Sequence, residues 1–340
     1  MSHKIKFIVI GCGHIGKRHA AMILNNPEAE LVALVDIKDR NELYIDQYDA
    51  PFFNSYEELK QAGIDFDVAN IAVPNGLHAT LALSVLEDCK NVVIEKPLAL
   101  STREAQQIID LAEKVERKVF VVMQNRYSPP SVWLKELVES GKLGQIHMLQ
   151  MNCYWNRDER YYTPEGWHGS KQLDGGTLFT QFSHFIDILY WVFGQIKNID
   201  TRLYDFNHQN LTEFEDSGHV LFELVQGGAG NINFSTAVWD KNLESSLTII
   251  AEKGSVKIGG QYMDKVSYCH IKDYVMPELP PTLPGNDYGF YKGSAANHAF
   301  VIQNVIDVLN HNAAITTTVY DGLEVVHMIE QIYQAQYEKK

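Results

Sequence analysis

The chain has 340 residues, a formal net charge of −14 and a hydrophobic content of 45%, a length that suits two domains with separate cores. Its acidity argues against nucleic-acid binding, which needs clustered Lys and Arg to neutralise phosphates. We expect a cytoplasmic protein, because no apolar run approaches the ~20 residues of a membrane span and the first residues do not resemble a signal peptide.

The four cysteines, at positions 12, 89, 153 and 269, are scattered and form no CxxC pair. This spacing suggests neither a zinc site nor a disulfide framework. We therefore expect reduced thiols and no bound metal.

A glycine-rich turn follows the first predicted strand, residues 4–10, and leads into a helix that starts near His14. In this pattern the first glycine permits a tight turn, the second lets the backbone approach a pyrophosphate, and the third lets helix and strand pack closely. The helix N-terminus offers unpaired N–H groups to the phosphates. The predicted cofactor contacts here are Gly11, Gly13, His14, Ile15 and Gly16.

Asp36 stands twenty residues beyond Gly16, after a second apolar strand at 31–35. A carboxylate there can accept hydrogen bonds from a ribose diol, which favours NAD over NADP. Lys38 and Arg40 could reach a 2′-phosphate, but a solvated charged turn explains both more simply.

Strands and helices alternate up to residue 123 and predict a doubly wound, parallel α/β sheet. Ser55 and Ser101 are predicted helix caps, with Glu104 completing a capping box. The remaining predicted strands are 67–73, 91–94 and 118–123, and the helices start at 56, 77 and 102.

Polar residues follow two of these strands, and ligands of such sheets bind beyond the carboxyl ends of strands. Lys96 lies between a buried strand and a proline. A lysine there is badly placed to be simply solvated, which favours a functional role. For Asn75 and His78 a helix cap and a satisfied turn histidine explain the residues equally well. The further predicted cofactor contacts are Pro74, Asn75, His78, Glu95 and Lys96.

After residue 123 the pattern changes to a second, α+β domain with an open, mainly antiparallel sheet. Residues 124–130 are predicted as a linker and 132–140 as a helix. Two helices, 297–310 and 322–337, close the chain. The predicted strands are 146–155, 218–225, 230–238, 243–251 and 255–258.

An apolar helix at 177–193 interrupts this sheet and carries one polar face. At about 100° per residue its polar members share an arc of about 160° without any Lys or Glu. This favours the wall of a semi-buried pocket over a solvated face, although mutually bonded core groups could give the same pattern. The members are Thr177, Thr180, Gln181, Ser183, His184 and Asp187.

Aromatic and basic residues are mixed in the stretch 154–171 of this otherwise acidic chain. Aromatic rings can stack on a base or a sugar, and arginines bind anions. Arg157, Tyr161 and Trp167 are the predicted substrate contacts, together with Lys96, Thr180, Gln181 and His184. Arg160 is a weaker candidate, because Asp158 or Glu159 could pair with it.

These motifs together resemble the Gfo/Idh/MocA oxidoreductases over essentially the full length: GCGHIGKRHA with Asp36, VPNGLHA, EKPL, and GGTLFTQFSHFIDIL. Within that family the stretch 155–184 looks most similar to WlbA/WbpB-type enzymes. The resemblance implies a Rossmann domain at 1–123, a substrate-binding and oligomerisation domain at 124–340, and a homodimer or homotetramer. It also implies that Lys96 and His184 are the catalytic pair. Many relatives carry Asp where Thr180 stands, so the group that orients the imidazole is left open.

The sequence thus predicts an NAD-dependent enzyme that oxidises a sugar hydroxyl, C3 by resemblance, of a nucleotide sugar such as UDP-N-acetylglucosaminuronic acid in surface polysaccharide biosynthesis. One alternative is an enzyme that carries out the same oxidation on a free polyol or sugar, such as an inositol. A non-catalytic, cofactor-sensing regulator is the alternative from another class.

Overall fold

A computed structural model describes residues 4–289 and 291–337 and divides the chain into two compact units. The first comprises Met1–Met123 and His298–Val326, and the second comprises Gln124–Asn297 and His327–Lys340. None of the helices in the described part is long and apolar enough to cross a membrane.

The first unit contains a six-stranded parallel sheet in the order β3-β2-β1-β4-β5-β6, as the alternating pattern predicts. Its central strands are buried on both faces, which is why they read as continuous apolar runs. The strands are β1 Ile5–Ile10, β2 Ala29–Val35, β3 Phe52–Phe53, β4 Val68–Ile71, β5 Asn91–Ile94 and β6 Val119–Val121. The helices are α1 His14–Leu24, α2 Arg40–Leu43, α3 Tyr56–Gln61, α4 His78–Glu87 and α5 Thr102–Lys114.

Two predicted caps are present. Ser55 Oγ accepts a hydrogen bond from Glu58 N at 3.1 Å, and Ser101 Oγ accepts one from Glu104 N at 3.2 Å. Ser101 Oγ also donates to the Glu104 carboxylate at 2.9 Å. These bonds satisfy N–H groups that a helix start leaves unpaired, so the cap sequences fix where α3 and α5 begin.

The second unit contains a seven-stranded sheet in the order β13-β12-β11-β7-β10-β9-β8, in which only β7 and β10 pair in parallel. The predicted mainly antiparallel sheet is therefore present, with two strands that the sequence pattern missed, β8 and β13. The elements are α6 Pro129–Glu139, β7 Ile146–Tyr154, α7 Ser183–Phe193, β8 Ile196–Tyr204, β9 Ser217–Leu224, β10 Ala229–Ser235, β11 Glu244–Ala251, β12 Gly254–Gly259 and β13 Lys265–Ile271, followed by a short hairpin, β14 Gly285–Asp287 and β15 Lys292–Ala295.

The predicted linker at 124–130 is wrong. Gln124–Tyr127 forms a 3-10 turn whose first three side chains are buried, and α6 already begins at Pro129. Two consecutive prolines suggested a break, but proline fits the first turn of a helix, where its missing N–H is not needed.

The last helices are α8, His298–His311, and α9, Val319–Tyr337. α8 belongs to the first unit, whereas the predicted division placed it in the second domain. It packs against α1, where Asn26 Nδ2 donates to Gln303 Oε1 at 2.8 Å, and the following segment bonds β6 through Val121 N and Thr317 O at 3.2 Å. The first unit is thus completed by residues from the end of the chain.

Candidate active site

The glycine turn of the first unit has the geometry that the sequence predicts. Gly11 has a positive φ of +91°, and a Cβ at Gly16 would lie 1.7 Å from the Gly11 carbonyl oxygen. By contrast, a Cβ at Gly13 would meet nothing within 4 Å. Two glycines are therefore required by the protein itself, while Gly13 borders open space that suits the close approach of a pyrophosphate to His14 and Ile15 at the start of α1.

Asp36 fastens this turn from the end of β2. Its carboxylate accepts hydrogen bonds from Cys12 N at 2.6 Å and Lys38 N at 2.9 Å. Burial and the nearby Asp36 charge raise the pKa of the Cys12 thiol to about 12, so this cysteine stays protonated. Arg40 donates to the carbonyls of Tyr48 and Ala50, contacts that hold it within its own loop.

The strands β2, β1, β4 and β5 are neighbours and end in register, with Ile10 opposite both Val35 and Ile71, and Ile71 opposite Ile94. Parallel strands present their carboxyl ends at one edge, so the structure brings the predicted cofactor residues of this unit to a common edge. These residues are Gly11, Gly13, His14, Ile15, Gly16, Asp36, Pro74, Asn75, His78, Glu95 and Lys96. Their individual contacts to NAD stay predictions.

His78 and Glu95 are both buried at this edge. His78 Nδ1 lies 2.7 Å from the Pro97 carbonyl oxygen and Nε2 lies 2.9 Å from that of Val73, and the neutral ring donates to one of the two. Burial lowers the pKa of the His78 imidazole. Its ring thus ties the ends of β4 and β5 together, which is the satisfied turn histidine that the sequence left as an alternative.

Glu95 forms a buried cluster with two histidines that the sequence analysis missed. Its Oε1 lies 2.8 Å from His19 Nε2 and 3.4 Å from His298 Nε2, and Asn70 Nδ2 lies 2.7 Å from His19 Nδ1. Burial acts to raise the pKa of Glu95, but the contacts with both histidines outweigh it and hold this pKa well below its usual range. No local motif could indicate the cluster, because His298 is 203 residues from Glu95.

In the second unit the predicted helix at 177–193 begins with a π-helical turn, Leu178–Phe182, and continues as α7. A π turn bonds residue i to i+5, so the assumed 100° spacing fails across it. All six polar residues are buried, and five of them bond to partners on other segments, whereas Ser183 Oγ has no hydrogen-bond partner among the described residues. The pocket wall stays a prediction.

His184 follows the π turn, and its Nε2 lies 3.1 Å from Gln124 Nε2. The amide N–H donates if the imidazole nitrogen is unprotonated; if the amide is turned round, its oxygen accepts an Nε2 proton. In either arrangement Gln124 bonds to the ring. Gln124 lies in the segment predicted as a linker, so the sequence did not indicate this contact.

One turn further along α7, Asp187 forms an ion pair with Arg126. Arg126 Nη2 donates to Asp187 Oδ1 at 2.6 Å, and Nε donates to both carboxylate oxygens at 3.1 and 3.0 Å. The two side chains are 1% and 0% exposed. This pair anchors the 3-10 turn on α7 and thereby keeps Gln124 beside His184.

The residues upstream of His184 bond to the aromatic stretch. Thr180 Oγ1 donates to the Asp174 carbonyl at 2.9 Å and to the Asp174 carboxylate. Gln181 Nε2 donates to Tyr161 Oη at 2.9 Å, and Gln181 Oε1 accepts from Arg157 Nε at 2.7 Å. Arg157, Tyr161 and Gln181 therefore lie in one connected network, whereas Thr180 bonds separately to Asp174.

Trp167 extends this network through a ring stack. Its ring centroid is 3.8 Å from that of His168, and His168 lies 4.1 Å from Tyr161. Arg160, by contrast, pairs with Asp158 at 2.6 Å, as its neighbours in sequence suggested. Of the two arginines in the stretch, Arg157 is thus the one that the fold buries.

Comparison with known proteins identifies both units. Residues 5–123 match the family described as "Oxidoreductase family, NAD-binding Rossmann fold", and residues 132–257 match the "GFO/IDH/MocA C-terminal domain". The chain is 27% identical to the inositol 2-dehydrogenase of Salmonella typhimurium over 66% of its own length and 65% of the relative's.

Two similar solved structures are WlbA dehydrogenases in complex with NADH and UDP-GlcNAcA. The protein from Bordetella pertussis is 27% identical, with a TM-score of 0.86 over 99% of this chain and 98% of the other. The protein from Chromobacterium violaceum is also 27% identical, with a TM-score of 0.87 over 100% and 96%.

Proposed function

The chain belongs to the Gfo/Idh/MocA family of NAD-dependent oxidoreductases, and from that premise we propose that it oxidises a hydroxyl, at C3, of a nucleotide sugar such as UDP-N-acetylglucosaminuronic acid in surface polysaccharide biosynthesis. The likeness over nearly the whole chain to two dehydrogenases in complex with NADH and UDP-GlcNAcA carries this proposal. The buried Arg157 and the rings around it add support, since they suit an anionic ligand with a ring to stack.

In this proposal His184 removes the proton of the hydroxyl as general base, since an imidazole is the side chain best matched to neutral pH. Gln124 holds the ring in place for that transfer. Lys96, as an ammonium group, stabilises the negative charge that develops on the oxygen. NAD, which the glycine turn and Asp36 would hold, would supply the acceptor for the hydride that leaves the carbon.

The test compares turnover of the nucleotide sugar by Lys96→Met and His184→Ala with that of the wild type. We expect each variant to lose at least ~10²-fold in kcat, the low end for proton transfer, while NADH binding, followed by fluorescence, is retained. Lys90→Met and His311→Ala are matched controls: Lys90 pairs with Asp65 and His311 is half exposed. Wild-type turnover by Lys96→Met or His184→Ala would remove the role given to that residue.

A free polyol such as an inositol is the second candidate substrate, favoured by the similarity to inositol 2-dehydrogenase. A thermal-shift screen of UDP-sugars against free polyols separates the two. Stabilisation by a polyol alone would decide for the second candidate.

We propose a homodimer or homotetramer, as expected from the sequence. One face of the second sheet exposes apolar side chains. Met148 on β7 lies opposite Ile250 on β11, and Leu221 on β9 and Tyr268 on β13 are each separated from this pair by one strand. Such a face is a candidate protein interface. Size-exclusion chromatography with light scattering tests it, and a monomer at micromolar concentration would contradict it.

A further inference from the structure

Arg157 is a buried cation with no acidic partner in the part of the chain that the structure describes. It is 2% exposed, and its hydrogen bonds go to four neutral acceptors. Nε donates to Gln181 Oε1 at 2.7 Å, and Nη1 donates to the Asn156 carbonyl at 2.6 Å and to Asn242 Oδ1 at 3.3 Å. Nη2 donates to the Lys292 carbonyl at 3.3 Å. Over residues 4–289 and 291–337, no Asp or Glu forms an ion pair with it.

Aromatic rings surround the guanidinium instead. Its carbon lies 4.8 Å from the centroid of Trp155, 5.1 Å from that of Tyr161 and 4.9 Å from that of Tyr291. The faces of these rings attract a cation but do not neutralise it. Burial lowers the pKa of Arg157, although the nearby tyrosines oppose this. Since a buried charge is costly unless paired, the fold keeps a positive charge here that it does not itself complement.

Nη2 is the guanidinium nitrogen with the weakest hydrogen bonding. Charge-assisted N–H···O bonds are typically about 2.7–2.9 Å long, and the shortest bonds of Nε and Nη1 reach this range. The bond of Nη2 to Lys292 is longer, and its second N–H has no acceptor among the described residues. The protein thus fixes one edge of the guanidinium firmly and leaves Nη2 for another oxygen, which would displace the loosely held Lys292 carbonyl.

The bond to Gln181 places this charge near the candidate base. Gln181 stands three residues before His184, in the π turn that leads directly into α7. An anionic group bound at Arg157 would therefore belong to the part of the substrate close to the reacting sugar. The negative charge nearest to the ring of a uronate is its own carboxylate.

We propose that Arg157 determines substrate specificity by binding the carboxylate of the sugar, so that the enzyme selects uronic-acid nucleotide sugars over neutral ones. This assignment rests on the proposed function. The diphosphate of the nucleotide offers the same kind of oxygen, so the experiment must separate the two sources.

The experiment measures kcat/KM for UDP-N-acetylglucosaminuronic acid, for neutral UDP-N-acetylglucosamine and for the free uronate without nucleotide. We expect the wild type to prefer the uronate nucleotide at least ~100-fold over the neutral one, the size of a good charged hydrogen bond. Arg157→Gln should lose this preference by lowering the uronate value far more than the neutral value. Arg157→Lys should reduce it at least tenfold, because lysine lacks the fixed fork of donors.

Arg160→Gln is the matched control. Arg160 lies three residues along the chain, but its side chain is 40% exposed and paired with Asp158. This variant should keep the wild-type ratio. Thermal unfolding and NADH binding are measured for every variant, and if Arg157→Gln does not fold, Arg157→Lys decides by the same ratio.

An Arg157→Gln variant that keeps the ratio overturns the proposal, as does a wild type that oxidises both nucleotide sugars equally well. Equal losses on both nucleotide sugars with unchanged activity on the free uronate would assign Arg157 to the diphosphate and overturn the carboxylate role. Absence of turnover by the wild type with all three compounds would instead reject the proposed function, so the two failures are distinguishable.

Discussion

Alanine substitution should separate the two kinds of glycine in the first turn. At Gly16 an added Cβ would lie 1.7 Å from the carbonyl oxygen of Gly11, and backbone atoms cannot rotate away. Overpacking typically costs 1–3 kcal/mol, and we expect Gly16→Ala to lose about 3 kcal/mol in the free energy of unfolding.

Gly13 differs because its added Cβ would meet nothing within 4 Å and its φ of −68° and ψ of −162° are open to alanine. Gly13→Ala should therefore keep or gain stability, by up to ~1 kcal/mol through a less flexible unfolded chain. We expect its affinity for NADH to fall at least about tenfold, ~1.4 kcal/mol, because the methyl group occupies the space for the pyrophosphate.

Urea denaturation and a fluorescence titration with NADH measure both quantities on both variants. Wild-type affinity in Gly13→Ala would refute the assignment of this space to the cofactor. Wild-type stability in Gly16→Ala would refute the packing argument.

Three further predictions concern the second unit. Asp187→Asn should cost about 3–5 kcal/mol in urea denaturation, because it removes the carboxylate that pairs with the buried Arg126 guanidinium. A loss below ~1 kcal/mol would contradict this. Gln124→Leu should lower kcat about tenfold with little change in KM and alter the pH profile, because the His184 ring loses the group that orients it; an unchanged profile would leave Gln124 a packing residue. Burial raises the pKa of Glu215 from 4.5 to about 7, so the folded state binds more protons than the unfolded state between these values, and wild-type stability falls as pH rises through them. Glu215→Gln should remove this pH dependence and be more stable than the wild type by up to about 3 kcal/mol at pH 8. If the free energies of unfolding of the two proteins changed in parallel from pH 4 to 8, the raised pKa of Glu215 would be contradicted.

The sequence predicted best what depends on local chemistry. A positive φ at Gly11, a helix cap at Ser101 and the end of β2 before Asp36 are each decided by a few neighbouring residues. The missed strands β8 and β13 lie at the two edges of the second sheet. An edge strand has a less regular burial pattern, and most side chains of β13 are exposed or half-buried. The alternation that marks a strand is therefore weak there.

The candidate site was predicted less completely, because its supporting residues come from distant parts of the chain. His298 reaches Glu95, and Tyr291 covers Arg157, from segments without any recognisable motif. The π turn before His184 was also invisible to periodicity, since it changes the spacing within one helix. Sequence could name the charged and aromatic candidates, but only the fold shows which are already paired.

This pairing bears on the question that the sequence left open at Thr180. The Thr180 hydroxyl donates to Asp174, whose carboxylate also accepts from Gly169 N at 2.8 Å. A carboxylate is thus present beside this position, but it comes from the preceding loop and is bonded there. Gln124 contacts the His184 ring at Nε2 and stands two residues before Arg126, which forms the ion pair with α7. We therefore expect the orientation of the imidazole to depend on the 3-10 turn after β6, so that substitutions there affect proton transfer more than substitutions at Thr180.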